Sequence, residues 1–208
     1  MGCHLLTDSI KEKLRRRTAG ILLDQDFREH AVLLPLVRHE NKVSLLFEVR
    51  SLQLKDQPGE ICFPGGHIEP QDSTPQHTAV RETVEELGVQ SSSLDILGPL
   101  DILVTHHQLK IYPFVAMIQG EPALTPDQRE VDHVFYVPLD FLLAARVSIS
   151  QVRMKMQPEP GFPFHLIPGG TNYAWREGQY PVYFYHYQDY IIWGMTARIL
   201  HHFLGLIR

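Results

Sequence analysis

The chain has 208 residues, 44% of them hydrophobic and 21% charged, with a formal net charge of −5. That length and apolar share suit one domain with modest additions at its ends, and the acidic balance argues against a surface built to coat nucleic acid or anionic membrane. Two cysteines, Cys3 and Cys62, define neither a disulfide framework nor a clustered metal site, so a reducing cytoplasm is the expected setting.

The start lacks the apolar core of a signal peptide, and Met1-Gly2-Cys3 departs from the myristoylation pattern at Leu6. Residues 8–17, with Ile10 and Leu14 among charges, predict a short peripheral amphipathic helix within an N-terminal segment of residues 1–29. Residues 30–208 form the main domain. Ala31–Arg38 reads as a buried strand whose Pro35 argues against a regular central position. Glu40-Asn41 marks a turn into a second strand, Val43–Val49, so the pair predicts a hairpin. A polar loop with Pro58 and Gly59 leads to Ile61-Cys62-Phe63 and then Pro64-Gly65-Gly66. A helix follows, capped by Thr74, started by Pro75 and ended by Gly88. Strands are expected at Leu97–Val104, Tyr112–Ile118, Val131–Val137 and Val182–Tyr187, and helices at 138–145 and Ile191–Leu206. Residues 157–179 are rich in Gly and Pro and read as irregular. No apolar run approaches the roughly 20 residues that cross a bilayer. The order of elements predicts an α/β sandwich with a mixed sheet.

The helix carries the chemistry. At about 100° per residue, Val80, Val84 and Leu87 share one side and Glu82, Glu85 and Glu86 gather on the other. Like charges three and four residues apart destabilise a helix by roughly 0.2–0.5 kcal/mol a pair. A divalent cation relieves that repulsion, and Mg²⁺ takes hard oxygen ligands while bridging to phosphate. Arg81 can hold a neighbouring carboxylate through bidentate hydrogen bonds. A solvated acidic helix face is the plain alternative; the Gly-Gly turn upstream, able to aim carbonyl oxygens at a metal, favours the cation site.

Gly66 through Val89 resembles the Nudix box, GX5EX7REUXEEXGU, at Gly66, Arg81, Glu82, Glu85, Glu86, Gly88 and Val89. Asp72 stands where the pattern has its first Glu, and eight residues instead of seven separate it from Arg81. The resemblance implies a Nudix-type α/β/α fold and a Mg²⁺ or Mn²⁺ site made by Glu82, Glu85 and Glu86 with a backbone carbonyl at Gly65 or Gly66. It also implies hydrolysis of a nucleoside diphosphate linked to a further group, in which the metals polarise a phosphoryl oxygen and activate water.

The stretch LFEVRSLQLKDQPGEICFPGG, from Leu46 to Gly66, resembles the signature of the coenzyme A diphosphatase branch, LLTxR-S/A-x3-R-x3-G-x3-FPGG. Lys55 replaces the second Arg, Phe47 the second Leu and Glu48 the Thr. The tail is also similar at Tyr183-Phe184-Tyr185, Ile192-Trp193-Gly194 and Thr196-Ala197-Arg198. The resemblance implies coenzyme A or an acyl derivative as substrate. Arg50 and Lys55 are placed to meet a phosphate, with Gly65 and His67 as further substrate-binding candidates. Glu130, at the mouth of a predicted strand, is a candidate ligand or general base.

Weaker candidates are His106 and His107 as substrate contacts, and Tyr183, Phe184, Tyr185 and Trp193 as an adenine stack, with core packing the more economical reading of the aromatics. Cys62 has no paired base and reads as a small apolar residue. Another nucleoside diphosphate, such as ADP-ribose or a dinucleotide, is the nearest competing substrate; a non-catalytic nucleotide-binding domain and a decapping protein are more distant alternatives. Partners other than a small-molecule substrate are not expected, with a homodimer left open.

Overall fold

The computed structural model describes residues 10–18, 20–22, 27–120 and 123–208. Strands β1 (Arg28–His39) and β2 (Lys42–Arg50) form the expected hairpin, with Leu36 opposite Leu45 and His39 opposite Lys42. Glu40 and Asn41 both take positive φ, 48° and 60°, the backbone a two-residue hairpin turn needs if its twist is to match the strands.

Six further strands complete this sheet: β3 (Ile61–Cys62), β4 (Gly65–His67), β5 (Leu94–Pro99), β6 (Leu103–Val104), β7 (Leu109–Ile118) and β8 (Val131–Pro138). The order is β3–β2–β1–β7–β5, with β4 also on β1, β6 on β7 and β8 on β2. Among the described residues only β1 and β7 run parallel, so the sheet is mixed. Helix α1 (Pro75–Leu87) packs on one face; α2 (Leu139–Ala144) and α3 (Gly194–Leu206) pack on the other. Strand alternation divides the core accordingly. Leu34, Leu36, Leu45 and Phe47 meet Leu200, Phe203 and Leu204 of α3. Ala31 and Leu33 meet Ala79 of α1, while Val37 and Leu46 meet its Leu87. The result is an α/β/α sandwich, as the sequence predicts. A small second sheet, β11–β10–β9, joins β9 (Ser148–Met154), β10 (Gly178–Tyr187) and β11 (Tyr190–Ile192).

Several expectations are corrected. Pro35 does sit in a central strand. The Leu33 amide points to Pro64 O at 2.9 Å, so two residues on the Pro35 nitrogen faces the same edge. There β4 pairing has ended at Val32 and β2 pairing has not begun until Leu36, so no ladder donor is lost. The strand expected at Leu97–Val104 is two, β5 and β6, with a register shift between Ile96 and Gly98. The last helix begins at Gly194, because Tyr190–Ile192 pairs with β10 instead. Residues 157–179 are irregular apart from two 3-10 turns, Phe164–Leu166 and Gly170–Asn172, and the start of β10. Residues 10–15 are helical and exposed; the first two residues of the expected 8–17 helix, and Met1-Gly2-Cys3, lie outside the described residues.

Candidate active site

Helix α1 is delimited as its sequence dictates. Thr74 Oγ1 accepts from the His77 amide at 3.1 Å, Pro75 is the first helical residue, and Gly88 closes the helix at φ 69° with its amide on Val84 O at 3.0 Å. Its buried stripe is rotated from the expected one. Thr78, Ala79, Thr83, Glu86 and Leu87 are buried, whereas Val80 and Val84 are half-buried. The Thr83 hydroxyl is satisfied by Ala79 O at 2.7 Å. Glu86 therefore lies on the edge of the stripe that meets the sheet, only 6% exposed, and the three glutamates are not equivalent: Glu82 is half-buried and Glu85 exposed.

The Gly-Gly turn faces this edge. The Gly65 amide donates to Glu86 Oε2 at 2.8 Å. Gly65 has φ 151°, and a Cβ there would stand 2.3 Å from Ala31 O, so only glycine fits. At Gly66 a Cβ would lie 2.4 Å from the Glu82 carboxyl carbon, so bare backbone sits directly against that carboxylate. Burial, with the charges of Glu82 and Glu130 added, outweighs the Gly65 hydrogen bond and pushes the Glu86 carboxyl up to about 8. Burial also raises Glu82, against the opposing pull of Arg81.

Arg81 organises the exposed side. Its Nε and Nη2 bond Asp72 Oδ1 and Oδ2 at 3.1 and 2.9 Å, while Nη1 reaches Glu82 Oε1 at 2.9 Å and Glu85 Oε2 at 3.2 Å. The Asp72 side chain is fully shielded from solvent. It also accepts from the Glu69 amide at 3.0 Å and Thr78 Oγ1 at 2.9 Å. These donors, Arg81 first, hold its carboxyl well below the usual range. Asp72 thus anchors the arginine.

Glu130 is brought to the site by the loop before β8. Thr125 and Asp127 amides bond Leu87 O and Glu86 O, each at 3.0 Å, tying that loop to the end of α1, and Ser51 N bonds Glu130 O at 2.8 Å. The exposed Glu130 carboxylate lies close enough to raise both Glu82 and Glu86. Arg50, at the end of β2, donates to Asp56 O at 3.2 Å through Nη2 and acts electrostatically on Glu86. Lys55 is exposed on the same loop. His67 is not brought to the glutamates. Its ring stands 5.3 Å from that of His30, on the β1 face shared with Val32 and Leu34, away from α1. His106 and His107 are exposed and lie against each other, with His106 also edge-on to Tyr180. Tyr185 is core, its hydroxyl 2.8 Å from His201 Nδ1, and Tyr183 stacks on His201. Phe184 and Trp193 rings stack 6.3 Å apart. Burial raises the Cys62 thiol far above its usual value, consistent with an unreactive side chain.

Sequence reasoning gave no site role to Glu48. This β2 residue is 1% exposed and is flanked electrostatically by Glu86, Arg50 and Glu130. An acid in the middle of an apolar strand run was the available signal.

Among the described residues, no three carboxylate, imidazole or thiol groups converge on one point, since Arg81 bridges Glu82 and Glu85 and Glu86 turns to Gly65. The donor set nonetheless fits a hard divalent cation. It offers carboxylate oxygens, glycine backbone pressed against Glu82, and a buried Glu48 Oε1 with no hydrogen-bond donor.

The family model described as NUDIX domain matches residues 15–156. The chain is 35% identical to the peroxisomal coenzyme A diphosphatase NUDT7 of Mus musculus over 195 residues, covering 93% of this chain and 77% of the relative. It is 32% identical to an uncharacterized Nudix hydrolase, NudL, of Photorhabdus laumondii, covering 86% and 84%. It is 31% identical to Nudix hydrolase 3 of Caenorhabditis elegans, covering 85% and 72%. A MutT/nudix family protein from Enterococcus faecalis superposes with a TM-score of 0.51 at 12% identity, covering 97% of this chain and 69% of that one, a likeness of fold alone. On the matched domain, the relatives above 30% identity and the sandwich with its glutamate helix, this chain belongs to the Nudix family and is a Nudix hydrolase, an enzyme acting on pyrophosphate bonds.

Proposed function

We propose that the enzyme cleaves the diphosphate of coenzyme A or its acyl derivatives, giving 3',5'-ADP and 4'-phosphopantetheine or its acylated form. The observation that carries this reading is the position of Arg50. The branch-like stretch Arg50–Gly66 leaves β2 and returns through β3 to the Gly-Gly turn, so its arginine lies near enough to act electrostatically on Glu86, on the side where a substrate diphosphate or 3'-phosphate would be neutralised. The similarity to the mouse diphosphatase supports the same substrate class.

Glu82, Glu85 and Glu86, with the Gly66 carbonyl, are the residues suited to hold Mg²⁺ or Mn²⁺. Bound there, a cation polarises a phosphoryl oxygen and lowers the pKa of a water. The chain's own residues do the rest. Asp72 fixes Arg81, which keeps Glu82 and Glu85 oriented. The Gly65 amide fixes Glu86. Arg50 supplies positive charge on the Glu86 side of the site, away from the glutamates that Arg81 holds. Glu130, exposed on its loop, is suited to take the proton as a water oxygen bonds to one phosphorus and the bridging P–O bond breaks. His67, set apart from the glutamates, would serve only a distal part of the substrate.

No helix of the described residues is long and apolar enough to cross a membrane. The cytoplasmic setting read from the cysteines remains part of the proposal, beside the peroxisomal one in the mouse relative's name.

The test is a substrate panel with Mg²⁺, read by chromatography of the phosphate products. Coenzyme A and its acyl forms should give the highest kcat/KM; ADP-ribose or a dinucleotide turning over faster would reassign the substrate.

A further inference from the structure

Glu48 is a buried acidic side chain at the site, standing where the branch signature has Thr. Strand β2 alternates faces, and Leu46 and Glu48 lie on the same one, ahead of the register shift between Val49 and Arg50. That face is fixed by Leu46, which packs with Leu87 of α1. Glu48 is thus aimed at the helix edge that carries Glu86. Its opposite neighbours are Cys62 on β3 and Val134 on β8. The Cys62 thiol donates weakly to Glu48 Oε2 at 3.9 Å. Among the described residues, no donor reaches Oε1, although that atom is shielded from solvent. Arg50 acts on the group electrostatically, while its Nε and Nη2 donate to Asp56 O. A buried carboxylate without a cation or a full set of donors is costly to keep, and a fold retains one where something takes up its charge.

We propose that Glu48 is a further metal-binding carboxylate, which joins Glu86 and Glu130 in holding a divalent cation on the sheet side of the helix glutamates. This rests on the reading that α1 binds Mg²⁺ or Mn²⁺. Strand β2 thereby adds a rigid hard-oxygen donor to a site otherwise built from α1, the glycine backbone of β4 and the Glu130 loop. This role also explains why an acid is tolerated amid Leu45, Leu46 and Phe47, all fully buried.

The test compares wild type, Glu48→Gln, Glu48→Thr and Glu86→Gln as intact chains titrated with Mn²⁺, with free ion measured by electron paramagnetic resonance and folding checked by circular dichroism. Gln keeps the shape and removes the charge; Thr is the side chain of the branch signature. The expected result is that both Glu48 variants bind one fewer Mn²⁺ or bind it at least tenfold more weakly than wild type. A purely structural role would lower the melting temperature of both variants while leaving the Mn²⁺ stoichiometry and affinity of the folded protein unchanged. Wild-type stoichiometry and affinity in both Glu48 variants, with binding lost in Glu86→Gln, would overturn the role of Glu48 and leave the helix site standing. Failure of wild type itself to bind Mn²⁺ would remove the helix site and this inference together.

Discussion

Arg81 grips Asp72 through two parallel hydrogen bonds, Nε to Oδ1 at 3.1 Å and Nη2 to Oδ2 at 2.9 Å. The same guanidinium touches Glu82 and Glu85. The acid displaced from the usual Nudix spacing thus becomes the post that fixes the arginine, and through it two of the three glutamates.

Asp72→Asn keeps the shape but gives up the charge that holds Arg81. Outer partners of metal ligands are typically worth about 10- to 100-fold in metal affinity or activity. The expected outcome is a loss of that size in kcat/KM and in Mn²⁺ affinity, with a lower Tm. Wild-type kinetics would show that Arg81 needs no post.

The pH dependence of the metal-free protein follows from Glu86. Its carboxyl ionises near 4.5 when unfolded and at about 8 when folded. Between those values the folded chain holds the extra proton, so this contribution to stability is full below about 4.5, falls as pH rises and is gone above about 8. Thermal melts in a chelator should therefore show wild type losing stability relative to Glu86→Gln between pH 5 and pH 8. A constant difference across that range would refute the buried, uncompensated carboxyl.

Arg50→Ala should weaken substrate recognition more than chemistry. A hydrogen bond to a charged group is worth about 1.5–3 kcal/mol, roughly 10- to 150-fold in kcat/KM for coenzyme A. Lysine should rescue only part, because it lacks the planar fork. Steady-state kinetics on coenzyme A and its 3'-dephospho form would show which phosphate is met; no change with either would remove Arg50 from the substrate site.

Gly65→Ala should cost at least about 1–3 kcal/mol, the range for a strained backbone position, because φ is 151° and the new methyl would meet Ala31 O. Urea denaturation would measure it. The backbone must move to relieve the clash, so the Gly65–Glu86 bond and the activity should suffer as well. An unaltered midpoint would mean the turn is softer than its geometry indicates.

What the sequence made legible was mostly local. Thr74, Pro75 and Gly88 delimit α1 because caps act within a turn, and Glu40-Asn41 sets its hairpin for the same reason. What it hid was tertiary. Pro35 is harmless only because two partner strands leave a gap beside it. Tyr190–Ile192 is apolar enough to continue a helix, and only pairing with β10 makes it a strand. Strand β9 has a mostly exposed face and no periodic signal. The glutamates were found together by spacing, but their inequality, with Glu86 buried and Glu85 exposed, depends on how α1 rotates against the sheet. Glu48 stayed unseen as a site residue for the same reason, since the facing helix gives it a role.

The central claim is that Glu82, Glu85 and Glu86 hold a divalent cation needed to cut a pyrophosphate. The most direct measurement quantifies 3',5'-ADP and 4'-phosphopantetheine released from coenzyme A by wild type and Glu86→Gln, each with chelator, Mg²⁺ or Mn²⁺. The account predicts equal amounts of both products from wild type only with metal, and near-complete loss of turnover in a folded Glu86→Gln. Metal-independent turnover by wild type, or full activity in the variant, would contradict it.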